Sequence, residues 1–168
     1  MLRQSVKVIL RQVGLLEAVR RGRDGLDDLR CLPVNLTNWY RGAPDGLPVP
    51  PVRLIRLATG TPSVAWYLQG GKAGAECIRG LLDKHDISIR GLGRILDFGC
   101  GCGRVIRHWK GLPSVVQGTD YNPLLVDWCR RNLKFAEFRT NTFEPPLHND
   151  DGEFGLSLIH ISEPTRPY

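Results

Sequence analysis

The sequence has no apolar run long enough to cross a membrane and no cysteine pattern typical of a metal site. Nowhere does it approach the roughly 18 consecutive apolar residues that a membrane span needs. Lys7 and Arg11 interrupt the first apolar stretch, so it does not resemble a secretory signal. The five cysteines include no Cys-x-x-Cys pair, and an odd number argues against a disulfide framework. These absences predict a cytoplasmic protein with reduced thiols, no membrane span and no bound metal.

Clustered positive charge is also missing. The net charge of +6 is modest for 168 residues, and the densest basic group, between Arg20 and Arg23, is followed by three aspartates between Asp24 and Asp28. Nucleic-acid binding usually needs basic residues gathered on one surface. The sequence therefore indicates no nucleic-acid partner. It does not indicate an oligomeric state.

Residues 1–51 read as an N-terminal extension. Apolar side chains recur at helical spacing over residues 2–16, which predicts an amphipathic helix. Five prolines and two glycines over residues 31–51 then predict a linker or draped loop without regular structure.

Residues 52–93 read as a lead-in to a core domain. The alternation of apolar and basic residues over 52–57 predicts a short edge strand. Ser63 is a suitable N-cap for a helix that Gly70-Gly71 interrupts, and a second helix is expected over residues 73–85.

Residues 94–155 alternate between strand and helix patterns. Strands are predicted over residues 95–98, 115–119 and 136–140. A helix with Val105, Ile106 and Trp109 on its apolar side follows the first strand, and a helix capped by Asn122 with Pro123 at its first position follows the second. This alternation predicts an α/β fold with an open parallel sheet.

The residues best suited to bind a ligand lie at the carboxyl ends of the first two predicted strands. The glycine-rich turn from Gly99 to Gly103 follows the first strand, and Asp120 ends the second. Ligands of open α/β sheets lie at these ends, where glycines allow close backbone approach and an acidic side chain accepts both hydroxyls of a ribose. The spacing between turn and acid also fits the roughly 20 residues described for dinucleotide folds. Together these features predict a nucleoside site.

The glycine spacing narrows the choice of nucleoside. A dinucleotide fingerprint needs a third glycine where Arg104 stands, one place after Gly103. No Gly-Lys-Ser/Thr string of a P-loop is present. A nicotinamide-dependent oxidoreductase and a non-catalytic nucleoside-binding module nevertheless stay open as alternatives.

The string Ile95-Leu96-Asp97-Phe98-Gly99-Cys100-Gly101-Cys102-Gly103 resembles the first motif of class I S-adenosylmethionine-dependent methyltransferases. The resemblance implies a Rossmann-like sheet and S-adenosylmethionine as the cofactor, transferring its methyl group to an acceptor that the sequence does not identify. It also implies that residues 99–103 approach the methionine and ribose parts of the cofactor. The remaining roles that it implies are a network around the amino group for Asp97, the ribose hydroxyls for Asp120, the adenine face for Tyr121, and the adenine amino edge for Asn141 or Thr142. Catalytic residues stay unassigned.

The last residues do not continue the family pattern. From Leu156 onward the sequence resembles a translated sequencing adapter, so residues 156–168 are expected to be a non-native tail. On that interpretation about three strands of the sheet are present, and the first strand has an unpaired flank. The acceptor-binding half is then missing, and the 168-residue chain itself is expected to be inactive.

Overall fold

The computed structural model describes residues 15–142 and 152–159 of the chain. Two 3₁₀ turns, Ile89–Gly91 and Ile106–Trp109, accompany the helices and strands. No helix in the described ranges is long and apolar enough to cross a bilayer. The regular elements are, in chain order, α1 (Leu15–Arg41), α2 (Val52–Thr59), α3 (Val64–Asp83), β1 (Arg94–Phe98), β2 (Val115–Asp120), α4 (Pro123–Asn132), β3 (Glu137–Thr140) and β4 (Leu156–Ile159).

The four strands form one parallel sheet in the order β3-β2-β1-β4. The chain therefore moves outward from β1 to β3 and then returns to the other side of β1. This reversal makes the carboxyl end of β1 a topological switch point, where open α/β sheets bind their ligands. The predicted α/β fold and its first three strands are confirmed.

The strand β4 corrects the expectation of a three-stranded sheet. Leu156–Ile159 pairs in parallel with β1, from Ile95 opposite Leu156 to Phe98 opposite Ile159. The flank of β1 is therefore paired. Leu156 and Leu158 alternate with the more exposed Ser157 and Ile159, and Leu158 packs against the core. This pattern is typical of a strand, whatever the origin of the segment. Residues 160–168 lie outside the described residues, and a foreign origin for the tail stays a prediction.

The predicted loop over residues 31–51 is wrong for its first part, because α1 extends to Arg41 with Pro33 inside it. An internal proline removes one helical hydrogen bond. Tertiary contacts compensate, since the buried Asn35 side chain donates to the Pro62 carbonyl over 2.9 Å and accepts from the Val64 amide over 2.9 Å. Of the helix predicted over residues 2–16, only residues 15 and 16 are described, and they belong to α1.

The predicted edge strand over residues 52–57 is a helix, α2. The pattern fits a helix equally well, because Val52, Ile55 and Ala58 recur at helical spacing and Ile55 is fully buried. Gly60, with a φ of 73°, ends the helix in the left-handed conformation.

The helix α3 begins at the predicted cap, where the Ser63 hydroxyl accepts from the Trp66 amide over 3.2 Å. The predicted interruption at Gly70-Gly71 does not occur, and α3 is continuous. A Cβ at position 71 would lie 2.1 Å from the Arg104 carbonyl oxygen. The glycines therefore let the helix approach the backbone that follows β1. The helix predicted after the glycine turn is only the 3₁₀ turn Ile106–Trp109.

The main core lies between the helices and the sheet. It joins residues from all layers of the fold, and its largest fully buried side chains include Trp109, Tyr67, Ile55, Ile106 and Leu133. The side chain of Arg107 is also fully buried, which is unusual for arginine.

Candidate functional site

The glycine-rich segment of residues 99–103, called the glycine loop below, is a tight turn at the carboxyl end of β1. The amides of Gly99 and Cys100 both donate to the Thr119 carbonyl, over 2.8 and 2.9 Å, and the Gly103 amide donates back to the Cys100 carbonyl over 2.9 Å. Gly99, Gly101 and Gly103 have φ values of 75°, 56° and 79°. Such values are costly for any residue with a Cβ, so the alternation of glycines follows from the shape of the turn.

Two of these glycines also meet close neighbours within the chain. A Cβ at Gly101 would lie 3.1 Å from the Cβ of Ala58, and one at Gly103 would lie 2.5 Å from Leu133 Cδ1. A side chain at either position would therefore have to displace Ala58 on α2 or Leu133, the residue after α4, in addition to straining the backbone. Gly99 is the more exposed of the three.

The Asp120 carboxylate joins the end of β2 to the glycine loop. Its Oδ2 accepts from the Gly101 amide over 2.9 Å, and its Oδ1 accepts from the Asn122 amide over 2.8 Å. Burial raises the pKa of Asp120, the two amide hydrogen bonds oppose that rise, and the charge of Asp97 adds to it. The sequence-predicted partners of the nucleoside site, loop and acid, are thus in direct contact.

The other predicted site residues divide into a buried and an exposed set. Asp97 is fully buried on β1 beneath the loop, and Cys100 is 4% exposed. Hydrogen bonding to Cys129, together with burial, raises the pKa of the Cys100 thiol well above its ordinary value, so the thiol stays protonated. Tyr121 and Thr142 lie at the exposed rim.

Asn141 lies beside Asp120 at the end of β3. Its amide donates to the Asp120 carbonyl over 3.1 Å, and its side-chain Nδ2 donates to the Thr142 carbonyl over 3.0 Å. Its Oδ1 is buried, and within the described part of the chain no donor reaches it. A buried acceptor without a donor is costly, and a ligand N–H would satisfy it.

Sequence reasoning missed three connected residues, of which Tyr67 contacts the loop, Arg107 contacts Tyr67, and Asp45 pairs with Arg107. The Tyr67 hydroxyl donates to the Cys102 carbonyl over 2.8 Å, and Arg107 Nη1 lies 3.4 Å from the same hydroxyl. Asp45 forms a two-pronged ion pair with Arg107, with distances of 2.5 and 2.9 Å. The sequence held one indication that Arg107 is buried, because this charged residue stands in the apolar stretch between Val105 and Trp109.

Sequence comparison finds a relative that is named as a methyltransferase, the class of enzyme whose first motif the sequence resembles. No family model matches the sequence. Over 103 residues the chain is 38% identical to an electron transfer flavoprotein beta subunit lysine methyltransferase from Xenopus laevis. The match takes in 60% of this chain but only 40% of that protein, so the chain spans about two fifths of the relative's length. This relationship agrees with the methyltransferase resemblance of the motif.

Comparison with solved structures finds a TehB-like SAM-dependent methyltransferase from Corynebacterium glutamicum. It is 24% identical, the match covers 54% of each chain, and the TM-score is 0.35.

Proposed function

We propose that the chain contains the cofactor-binding part of an S-adenosylmethionine-dependent methyltransferase. The observation that carries the proposal is the contact between the Asp120 carboxylate and the Gly101 amide, which brings acid and glycine loop together at the switch point of the sheet. The 38% identity to a protein named as a lysine methyltransferase supports the same conclusion.

The residues present fit the cofactor. Asp120 offers a carboxylate whose oxygens, each with one amide donor already, keep free lone pairs for the ribose hydroxyls. Asn141 offers a buried Oδ1 that no donor of the described residues reaches and that an adenine amino group would satisfy. Tyr121, which is 54% exposed at the rim, offers an aromatic face for the base. Asp97, fully buried on β1, would anchor the network around the amino group of the cofactor.

We propose a protein lysine amine as the acceptor, by analogy with the named relative. The cofactor's sulfonium supplies an already activated methyl group, so the protein needs mainly to position a neutral amine in line and to exclude water. The residues that would do so are not assigned. We also propose a cytoplasmic location, which the five free thiols support.

Calorimetric titration of the 168-residue chain with S-adenosylmethionine, S-adenosylhomocysteine and NAD⁺ tests the cofactor. We expect saturable binding of the first two and none of NAD⁺. Binding of NAD⁺ alone would replace the methyltransferase proposal with the oxidoreductase alternative.

Transfer of a labelled methyl group tests the acceptor. A longer protein containing this chain should label lysines of a protein substrate, whereas the chain by itself should label none. Binding without transfer in the longer protein would favour a non-catalytic nucleoside-binding module.

A further inference from the structure

A chain of buried and partly buried contacts connects the N-terminal extension to the glycine loop. It begins at Asp45, in the segment between α1 and α2, and passes through Arg107 to Tyr67 on α3. It ends at the carbonyl of Cys102, inside the loop. We call these three side chains, Asp45, Arg107 and Tyr67, the loop anchor.

Arg107 is the centre of the loop anchor. Its side chain has no solvent exposure, and besides the ion pair with Asp45 it donates to the carbonyls of Leu47 and Pro48 over 3.3 and 3.4 Å. Its guanidinium also lies 5.5 Å from the centre of the Tyr67 ring. Losing any of these partners would leave a desolvated charge or carbonyl, so the contacts favour one arrangement of Arg107 and the groups around it.

Tyr67 connects Arg107 to the glycine loop. The residue is fully buried, and burial raises the pKa of its hydroxyl well above the ordinary value, so the group remains a donor. Its hydrogen bond to the Cys102 carbonyl holds the loop at that residue. At the preceding residue, the Gly101 amide is held by Asp120. The loop is therefore held between Tyr67 and the proposed ribose acid.

The structure assigns the loop anchor as a set of positioning residues for the cofactor site, acting on S-adenosylmethionine binding through the Cys102 carbonyl. Tyr67 is the member that touches the loop, and Arg107 and Asp45 act through it. This inference rests on the proposed function, and it connects Asp45 of the predicted N-terminal extension and Tyr67 of the predicted lead-in to the cofactor site.

The substitution Tyr67→Phe tests the inference because it keeps the ring and removes only the hydroxyl. Two measurements on the 168-residue chain are needed, the affinity for S-adenosylmethionine by calorimetry and the amide hydrogen exchange of Gly101 and Gly103 by NMR. We expect about three- to tenfold weaker binding, the range for one lost hydrogen bond. We also expect faster exchange at the two glycines with unchanged exchange at Val116 in β2. Tyr40→Phe, at a position 89% exposed on α1, is the matched control and should change neither quantity.

Asp45→Asn provides a second variant if Tyr67→Phe folds poorly. It removes the charge that holds Arg107 and should loosen the same two glycine amides. A lower melting temperature with unchanged affinity and unchanged glycine exchange would show a merely structural role and overturn the inference. If the wild-type chain does not bind S-adenosylmethionine, the proposed function fails, while the exchange data still decide whether Tyr67 holds the loop.

Discussion

Gly71 on α3 lies against the carbonyl oxygen of Arg104, so close that a Cβ at position 71 would be 2.1 Å away. The neighbouring Gly70 faces the Arg104 side chain, whose guanidinium lies 5.0 Å from the centre of the Trp66 ring. The pair of glycines in the middle of α3 is therefore where this helix meets the backbone that leaves the glycine loop.

Gly71→Ala should destabilise the protein because the methyl group cannot fit without moving α3 or the backbone at Arg104. We expect a loss of about 1 to 3 kcal/mol in the free energy of unfolding, typical of overpacking. Gly80→Ala is the control in the same helix, since nothing lies within 4 Å of that position. It should gain about 0.5 to 1 kcal/mol from helix propensity. Urea denaturation measures both, and equal effects at the two sites would contradict the close contact.

The parts of the fold that sequence predicted correctly are those that local patterns determine. The strand at Arg94–Phe98, the glycine turn and the Asn122 cap each depend on residues within a few positions of one another. The misread parts depend on distant contacts. The sequence alone predicts that Gly71 interrupts a helix, whereas in the structure Gly71 allows α3 to approach Arg104. It also predicts that Pro33 prevents a helix, but the hydrogen bonds of Asn35 stabilise α1 at that point.

The same division holds for the candidate site. Asp120 and the glycine loop stand at the carboxyl ends of two neighbouring parallel strands. The strand order alone therefore predicts that they lie close together. The partners of the loop anchor are 35 to 62 residues apart in sequence, and no local pattern pairs them.

Gly103→Ala and Gly111→Ala separate backbone strain from steric overlap. Both glycines have a φ near +80°, at 79° and 83°. Only Gly103 has a close neighbour, because its Cβ would lie 2.5 Å from Leu133 Cδ1, whereas nothing lies within 4 Å of position 111. Both variants should lose about 1 to 2 kcal/mol from the left-handed conformation.

Gly103→Ala should lose about 1 to 3 kcal/mol more because of the overlap. Thermal and urea unfolding of the two variants, measured side by side, give the difference. Equal losses would mean that Leu133 moves aside at no cost.

Asp120→Ala should weaken S-adenosylmethionine binding by about 1.5 to 3 kcal/mol through the loss of charge-assisted hydrogen bonds. Stability should also fall, because the amides of Gly101 and Asn122 lose their acceptor. Calorimetry at a temperature where the variant is fully folded separates the two effects. Asp127→Ala, on the exposed side of α4, is the control and should bind normally. Unchanged affinity in Asp120→Ala would remove Asp120 from the cofactor site.

The ion pair of Asp45 with Arg107 should make stability depend on acid pH. Burial raises the pKa of Asp45, but the hydrogen bond from Arg107 and the Leu47 amide outweigh burial and hold it below the ordinary value of 3.8. A depressed pKa in the folded state means that the contribution is complete above the unfolded value and is lost as pH falls through the folded one. The buried Arg107 then keeps its charge without its carboxylate partner.

We therefore expect Asp45→Asn to lower the melting temperature at pH 7, and we expect this difference from the wild type to shrink progressively as the pH falls below the ordinary value of 3.8. Asp120 cannot make the two melting temperatures approach each other at low pH, because its pKa is raised and its protonation on acidification favours the folded state. Thermal melts of both proteins between pH 7 and pH 3 measure the difference. A gap in melting temperature that stays constant across this range would show that the charge of Asp45 does not stabilise the loop anchor.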